Sequence, residues 1–197
     1  GNITIEQALA TSLNIPAVKI LDQLGVPAFV QKLQQAEFSQ VKKSGNQLGL
    51  SLILGGCDVK LEELTALFST FANGGKYSSL RWQQEDTLTV QKQLISPAAA
   101  YMINEILTQL QRSDLPHNAQ NSMHLPKIAW KTGTSYGRRD AWSIGYNRKY
   151  TVGIWAGNFS ALGIPELSGA NIATPLLFKI FNTIDYDSDE QWFTQPE

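Results

Sequence analysis

Lys131-Thr132-Gly133-Thr134-Ser135 place a cation, hydroxyl donors and a glycine in five consecutive residues. On an edge strand the side chains alternate, so Lys131 projects with Gly133 and Ser135, and Thr132 with Thr134. A local twist or bulge would bring both sets to one cleft. Gly133 lets an extended ligand backbone lie against the strand and pair with it. The backbone N–H that follows it is placed to serve as an oxyanion donor. A second set, Ser12-Leu13-Asn14, puts a hydroxyl beside a carboxamide. Taken alone, the first set is also an ordinary edge strand with a charged start, and the second a helix end with an Asn cap.

The flanking elements decide how these residues are presented. Thr4 and Gln7 form a capping-box-like start, and Ile5, Leu9 and Leu13 recur at helical spacing. Pro16 then predicts that Ser12, Leu13 and Asn14 lie at the junction of two helices. The second helix carries Val18, Ile20, Leu21 and Leu24 and stops at Gly25; Pro27 opens a third with Phe29, Val30 and Leu33. Residues 42–49 read as a polar turn and 50–56 as an apolar segment. Leu61, Leu64, Leu67, Phe68 and Phe71 mark a strong helix ended by Asn73-Gly74-Gly75. Residues 77–95 read as extended, with alternation across Thr87, Leu88, Thr89 and Val90. Ser96-Pro97 starts a helix that buries Met102, Ile103, Ile106, Leu107 and Leu110, and a loop covers 113–126. Three strands follow at 128–132, 141–146 and 150–158. Tight links at Tyr136-Gly137 and Asn147-Arg148 make them an antiparallel meander, and a helix over 172–184 covers one face. The pattern is α+β: a mostly helical part over 1–75 with the Ser-x-Asn set, and a sheet part over 76–197 with Lys131.

Composition narrows the function classes. The 197 residues are 43% hydrophobic and 17% charged, a globular balance. Sixteen basic and 17 acidic residues give a formal net charge of -1, with no long run of one sign, so no nucleic-acid partner is expected. Cys57 is the one cysteine; it reads as a small buried residue and cannot form an internal disulfide. His117 and His124 read as a solvated loop rather than a zinc pair. No metal or cofactor is expected. No apolar run reaches the roughly 18 residues that span a bilayer. Trp130, Trp142 and Trp155 read as sheet-face aromatics, while Arg138, Arg139 and Asp140 brace the turn or rim the cleft.

Asn14 and Lys131 stand 117 positions apart, 131 minus 14. In this order the two sets match two of the three motifs shared by penicillin-binding proteins and serine β-lactamases. The likeness extends along nearly the whole chain. The stretch Ala8-Leu9-Ala10-Thr11-Ser12-Leu13-Asn14-Ile15-Pro16-Ala17-Val18 resembles the second-motif region of class A, bifunctional penicillin-binding proteins. Leu64-Thr65 through Phe71-Ala72-Asn73-Gly74-Gly75 is similar to their helix ending in Ala-Asn-Gly-Gly. Lys131 to Ser135, continued by Tyr136-Gly137-Arg138-Arg139-Asp140-Ala141-Trp142 and Tyr150-Thr151-Val152-Gly153-Ile154-Trp155, resembles their third motif and the next two strands. The 1C subgroup is the most similar.

The resemblance implies the penicillin-binding protein and serine β-lactamase-like transpeptidase fold and a D,D-transpeptidase activity. A serine in Ser-x-x-Lys would attack the penultimate D-Ala carbonyl of a peptidoglycan stem peptide, and the acyl group would pass to an amine of a neighbouring stem. By motif, Ser12 relays protons near the leaving group and Asn14 hydrogen-bonds the substrate amide. Lys131, Thr132 and Thr134 hold the terminal carboxylate of a stem peptide or β-lactam, along the strand that also carries Gly133 and Ser135. The Thr134 N–H supplies one oxyanion donor. The nucleophile motif belongs before Ser12, where eleven residues stand. Ser39-Gln40-Val41-Lys42 fits the pattern but follows the second motif in a polar, surface-like stretch, and is rejected. The chain is therefore expected to lack the nucleophile, its helix and the N-terminal strands of the sheet. It would be inactive alone and have the rest of the domain as partner. By the same resemblance the parent sits at the outer, periplasmic face of the bacterial cytoplasmic membrane. The alternatives are a non-catalytic or split module that binds stem peptide or a partner protein, and, less favoured, a β-lactamase or penicillin sensor.

Overall fold

The computed structural model describes residues 1–44, 47–87, 91–110, 125–188 and 192–196. Helices α1 (Ile5–Ala10), α2 (Asn14–Leu24), α3 (Val26–Gln35) and α4 (Ser39–Ser44) come first, followed by a 3-10 turn at Leu50–Leu54 and helix α5 (Leu61–Ala72). A short antiparallel pair, β1 (Lys76–Ser78) and β2 (Gln91–Gln93), precedes α6 (Pro97–Leu107). The meander β3 (Ala129–Thr134), β4 (Asp140–Tyr146) and β5 (Thr151–Gly157) follows. A π-helical turn at Gly169–Ala173 then runs into α7 (Thr174–Ile184).

The register explains how the sheet is used. Lys131 pairs with Ile144, which pairs with Gly153. A side chain at Gly153 would meet Thr65 and Leu61 of α5, so this column faces α5, and the glycine lets that helix come close. One residue earlier, Trp130 points the other way and meets Phe178 of α7 edge-to-face, 5.6 Å between ring centroids. The sheet is thus sandwiched, with α5 on one side and α7 on the other.

Helix α5 also joins two cores. Leu64 and Leu67 pack on a cluster built from Leu21, Val30, Leu33, Phe38, Val41 and Tyr77. Phe68 and Phe71 pack on a second, built from Trp130, Tyr146, Leu177, Phe178 and Phe181. Within the second core the Tyr146 hydroxyl donates to Asn104 Oδ1 at 2.7 Å, which satisfies two buried polar groups. Burial pushes the Tyr146 phenol up, far from ionisation at neutral pH.

Several sequence expectations need correction. Residues 42–44 are not a polar turn but the end of α4, because buried Val41 draws this segment onto the first core. Ser39 opens that helix and is half-buried rather than superficial; its N–H donates to Glu63 Oε1 at 3.2 Å. Met102 is 57% exposed and Asn104 is buried in its place, since the α6 face is set by the Tyr146 hydrogen bond. The first strand extends to Thr134, two residues further than the apolar pattern reaches. Cys57 is half-buried against the first core, and burial raises its thiol pKa. His117, His124, most of the expected 113–126 loop and the alternation through Leu88, Thr89 and Val90 lie outside the described residues.

Candidate functional site

Helix α1 ends in a tight C-terminal motif. The Leu13 N–H donates to the Ala8 carbonyl at 2.9 Å and the Ser12 N–H to the Leu9 carbonyl at 3.1 Å. This is the Schellman pattern, and its left-handed position, usually glycine, is held by Ser12 at φ 56°. The start of α1 is fixed by the expected capping box of Thr4 and Gln7. Asn14 is the first residue of α2, and both Ser12 and Asn14 are exposed. The local backbone therefore turns the Ser12 hydroxyl out of the helix pair.

Lys131 answers it from β3. Its Nζ donates to Ser12 Oγ across 119 positions of sequence, and to the Thr132 carbonyl at 3.0 Å. Its side chain is partly withdrawn from water, and this burial holds its pKa below the ordinary lysine value of 10.5. Among the described residues no carboxylate pairs with Lys131, so its charge is available to an incoming anion.

The strand keeps its alternation through Thr134, without the bulge that would merge its two faces. Gly133 faces with Lys131, next to Trp142 on β4. Thr132 and Thr134 face the other side, where the exposed Thr134 accepts the Gly169 N–H at 3.0 Å. Ser135 leaves the strand: its Oγ accepts from the N–H groups of Arg139, at 3.2 Å, and Asp140, at 2.8 Å, bracing the turn. Arg138 extends that brace by donating from Nη1 to the Pro165 carbonyl. Trp142 and Trp155 meet across β4 and β5 as tilted rings with centroids 6.3 Å apart, and Trp155 Nε1 donates to Asp140 Oδ1. The structure thus joins Ser12 to Lys131 and sets Asn14 two residues from that contact. Gly169, Thr174 and Ser143, which stand behind Thr134, carried no signal in the sequence, because their contacts span 31 and 35 positions.

Residues 1–173 match the family model described as penicillin binding protein transpeptidase domain. The chain belongs to this family. It is 40% identical to penicillin-binding protein 1C of Escherichia coli (strain K12) over 187 residues, 93% of this chain and 23% of that protein. It is 25% identical to penicillin-binding protein 4 of Bacillus subtilis (strain 168) over 184 residues, 85% of this chain and 28% of that one. Among solved structures, penicillin-binding protein 1A from Haemophilus influenzae superposes with a TM-score of 0.78 at 18% identity, covering 98% of this chain and 36% of that one. The PonA1 protein from Mycobacterium tuberculosis, solved in complex with penicillin V, gives 0.70 at 18% identity, covering 100% of this chain and 60% of that one. The α+β transpeptidase fold is shared with these structures. This chain spans about a quarter of the length of the curated relatives it matches.

Proposed function

We propose that this chain is the C-terminal portion of a serine-type D,D-transpeptidase domain that cross-links peptidoglycan and is acylated by β-lactams. The contact between Lys131 Nζ and Ser12 Oγ carries the reading, because it unites two separate motifs of this family in one place. Lys131 supplies the charge for the terminal carboxylate of stem peptide or β-lactam from one face of β3, and Thr132 and Thr134 the hydroxyl donors from the other. The carboxylate would therefore lie across the outer edge of the strand, where both faces are within reach. Gly133 admits the substrate backbone along the outer edge of β3, and Ser135 holds the turn that ends it.

Ser12 relays a proton towards the departing D-Ala amine. A cation already bonded to its oxygen favours release of that proton, since the hydroxyl oxygen bearing partial negative charge is stabilised. Asn14 presents its carboxamide to the substrate amide. The Thr134 N–H is one of two oxyanion donors, a group worth about 2.7–4 kcal/mol of barrier when lost. In this reading residues 1–75 contribute Ser12 and Asn14, and residues 76–197 the substrate strand.

The attacking serine would come from the rest of the domain, whose further strands and helix suit the far edge of the sheet. Strand β5 is an outer strand of the three-stranded sheet. Phe178 reaches back to Trp130 on β3, so the opposite flank of α7, with Leu176, Ile180 and Ile184 exposed, lies towards β5. That edge, which pairs with no further strand among the described residues, and the apolar flank suit an added strand and helix of the parent chain. The parent would act at the outer face of the cytoplasmic membrane.

Labelling with fluorescent penicillin tests the reading. The complete polypeptide should form a covalent band that disappears when the serine of its Ser-x-x-Lys motif is replaced, and residues 1–197 alone should form none. A complete polypeptide that never labels would sink the enzyme reading and leave a non-catalytic stem-peptide binder. A band from residues 1–197 that Ser39→Ala removes would move the nucleophile to Ser39.

A further inference from the structure

Behind the substrate strand runs a chain of hydrogen bonds that none of the recognised motifs contains. Thr174 Oγ1 donates to the Gly169 carbonyl at 3.0 Å, and Ser143 Oγ lies 3.1 Å from the same Thr174 oxygen. A threonine has one hydroxyl proton, already given to Gly169, so Ser143 must be the donor in the second bond. Gly169 in turn gives its N–H to Thr134 Oγ1 at 3.0 Å. Ser143 is fully buried, Thr174 is 1% exposed, and Gly169 is buried between them and the strand.

The position of Gly169 is fixed by contact as well as by bonding. A side chain there would run into the carbonyls of Trp142 and Gly133 and meet Thr132 Cβ at 3.1 Å. Only a glycine lets this turn lie flat on β3 and β4. The segment leading into the turn is tied to the β3–β4 connection, where the Ile164 N–H donates to the Arg138 carbonyl at 3.1 Å.

We propose that Ser143, Thr174 and Gly169 are positioning residues that set the Thr134 hydroxyl as a donor towards the substrate carboxylate. With an acceptor lone pair of Thr134 Oγ1 occupied by the Gly169 N–H, the hydroxyl proton is kept off the Gly169 side. Thr134 itself is exposed, so that proton points to the side from which a ligand arrives. The Ser143 and Thr174 bonds hold the Gly169 carbonyl, and so fix the direction from which its N–H, on the other side of the same Cα, meets Thr134 Oγ1. A hydroxyl oriented in advance loses less rotational freedom when it binds. This rests on the reading of Thr134 as a carboxylate donor given above.

The test compares the acylation rate constants of the complete polypeptide with penicillin V and with its methyl ester, which lacks the carboxylate charge. The paired change Ser143→Ala with Thr174→Val removes both hydroxyls without leaving one unpaired. It should slow acylation by penicillin V about five- to tenfold and leave the methyl ester nearly unaffected. Thr174→Ser should keep the wild-type rate, and Thr134→Val should cost less in the paired variant than it does alone. Equal slowing with both ligands, or losses that multiply with Thr134→Val, would show that the chain only supports the fold and overturn the proposal. A Thr134→Val enzyme that loses its preference for penicillin V while the pair is silent would overturn it alone. Thr134→Val that leaves the preference intact would remove the carboxylate role of Thr134 itself, and this inference with it.

Discussion

The two halves of the site are held in place by different physics. Lys131 and its neighbours sit on a strand paired along its full length with β4, and Trp130 nails that strand to α7. Ser12 and Asn14 sit where two helices meet, placed by a cap, a C-terminal turn and the first residue of α2. The strand half draws its position from a buried core and long-range pairing. The helix half draws it from local backbone bonds at the surface, with Gln109 Nε2 donating to Glu6 Oε1 at 2.7 Å as a tie to the end of α6. A site made this way has one firm jaw and one that depends on short-range geometry. The Lys131–Ser12 bond is the point where they register.

The comparison can be broken first at the firm jaw. Trp130→Ala in the complete domain should cost about 3–5 kcal/mol of stability, read as a lower thermal midpoint, because the buried indole leaves a cavity beneath the strand. If the midpoint stays within a degree or two of wild type, β3 is not anchored through α7. At the junction of the jaws, Lys131→Ala should reduce acylation by penicillin about a hundredfold, the scale of a charge-assisted hydrogen bond together with the loss of the cation facing the ligand carboxylate. Ser12→Ala on top of it should add much less than it does alone, and full additivity would separate the two residues. On the weaker jaw, Thr4→Ala removes the cap and should cost about 1 kcal/mol. The expected mark is selective: faster amide exchange near α1, with the sheet unchanged.

The smallest effect is one of pH. Lys131 is held below 10.5 by burial, so its folded-state pKa is lower than its unfolded one. The unfolded chain then binds the proton more strongly between these values, and this contribution to stability rises with pH through that window. Carboxylate binding runs the opposite way, because it needs the charged form. Affinity for a carboxylate-bearing β-lactam should therefore fall as pH rises, with a midpoint below 10.5 that is absent from Lys131→Ala. A flat profile in the wild-type enzyme would place another cation at the carboxylate.

How much of this could be read from the chain follows the same division. The meander was legible because Gly137 and Asn147 mark its turns and alternation marks its strands. The junction at Ser12 was legible because Pro16 forbids a continuous helix. The resemblance put Ser12 and Lys131 in one site with separate roles, but the bond between them was not foreseen, since no local pattern encodes a bond across 119 positions. What escaped was the support: the Ser143–Thr174–Gly169 chain is made of common residues that only the folded register brings together. Pro165 was not foreseen as the partner of Arg138, though Arg138 reads in the sequence as bracing the turn or rimming the cleft. Met102 misled for a related reason: its α6 position has helical spacing but faces solvent, while a polar Asn104 is pulled inside by Tyr146.

The left-handed backbone of Ser12 has an evolutionary edge to it. Glycine or asparagine would relax that conformation, yet neither carries a hydroxyl. Threonine would keep the hydroxyl, and its branched side chain fits a positive φ worst. Every single-step exit from serine thus trades chemistry against conformation, so this position has almost no neutral neighbours in sequence space. A lineage that abandoned the proposed relay role of Ser12 would be expected to drift there first, towards glycine, and to gain stability as it did so.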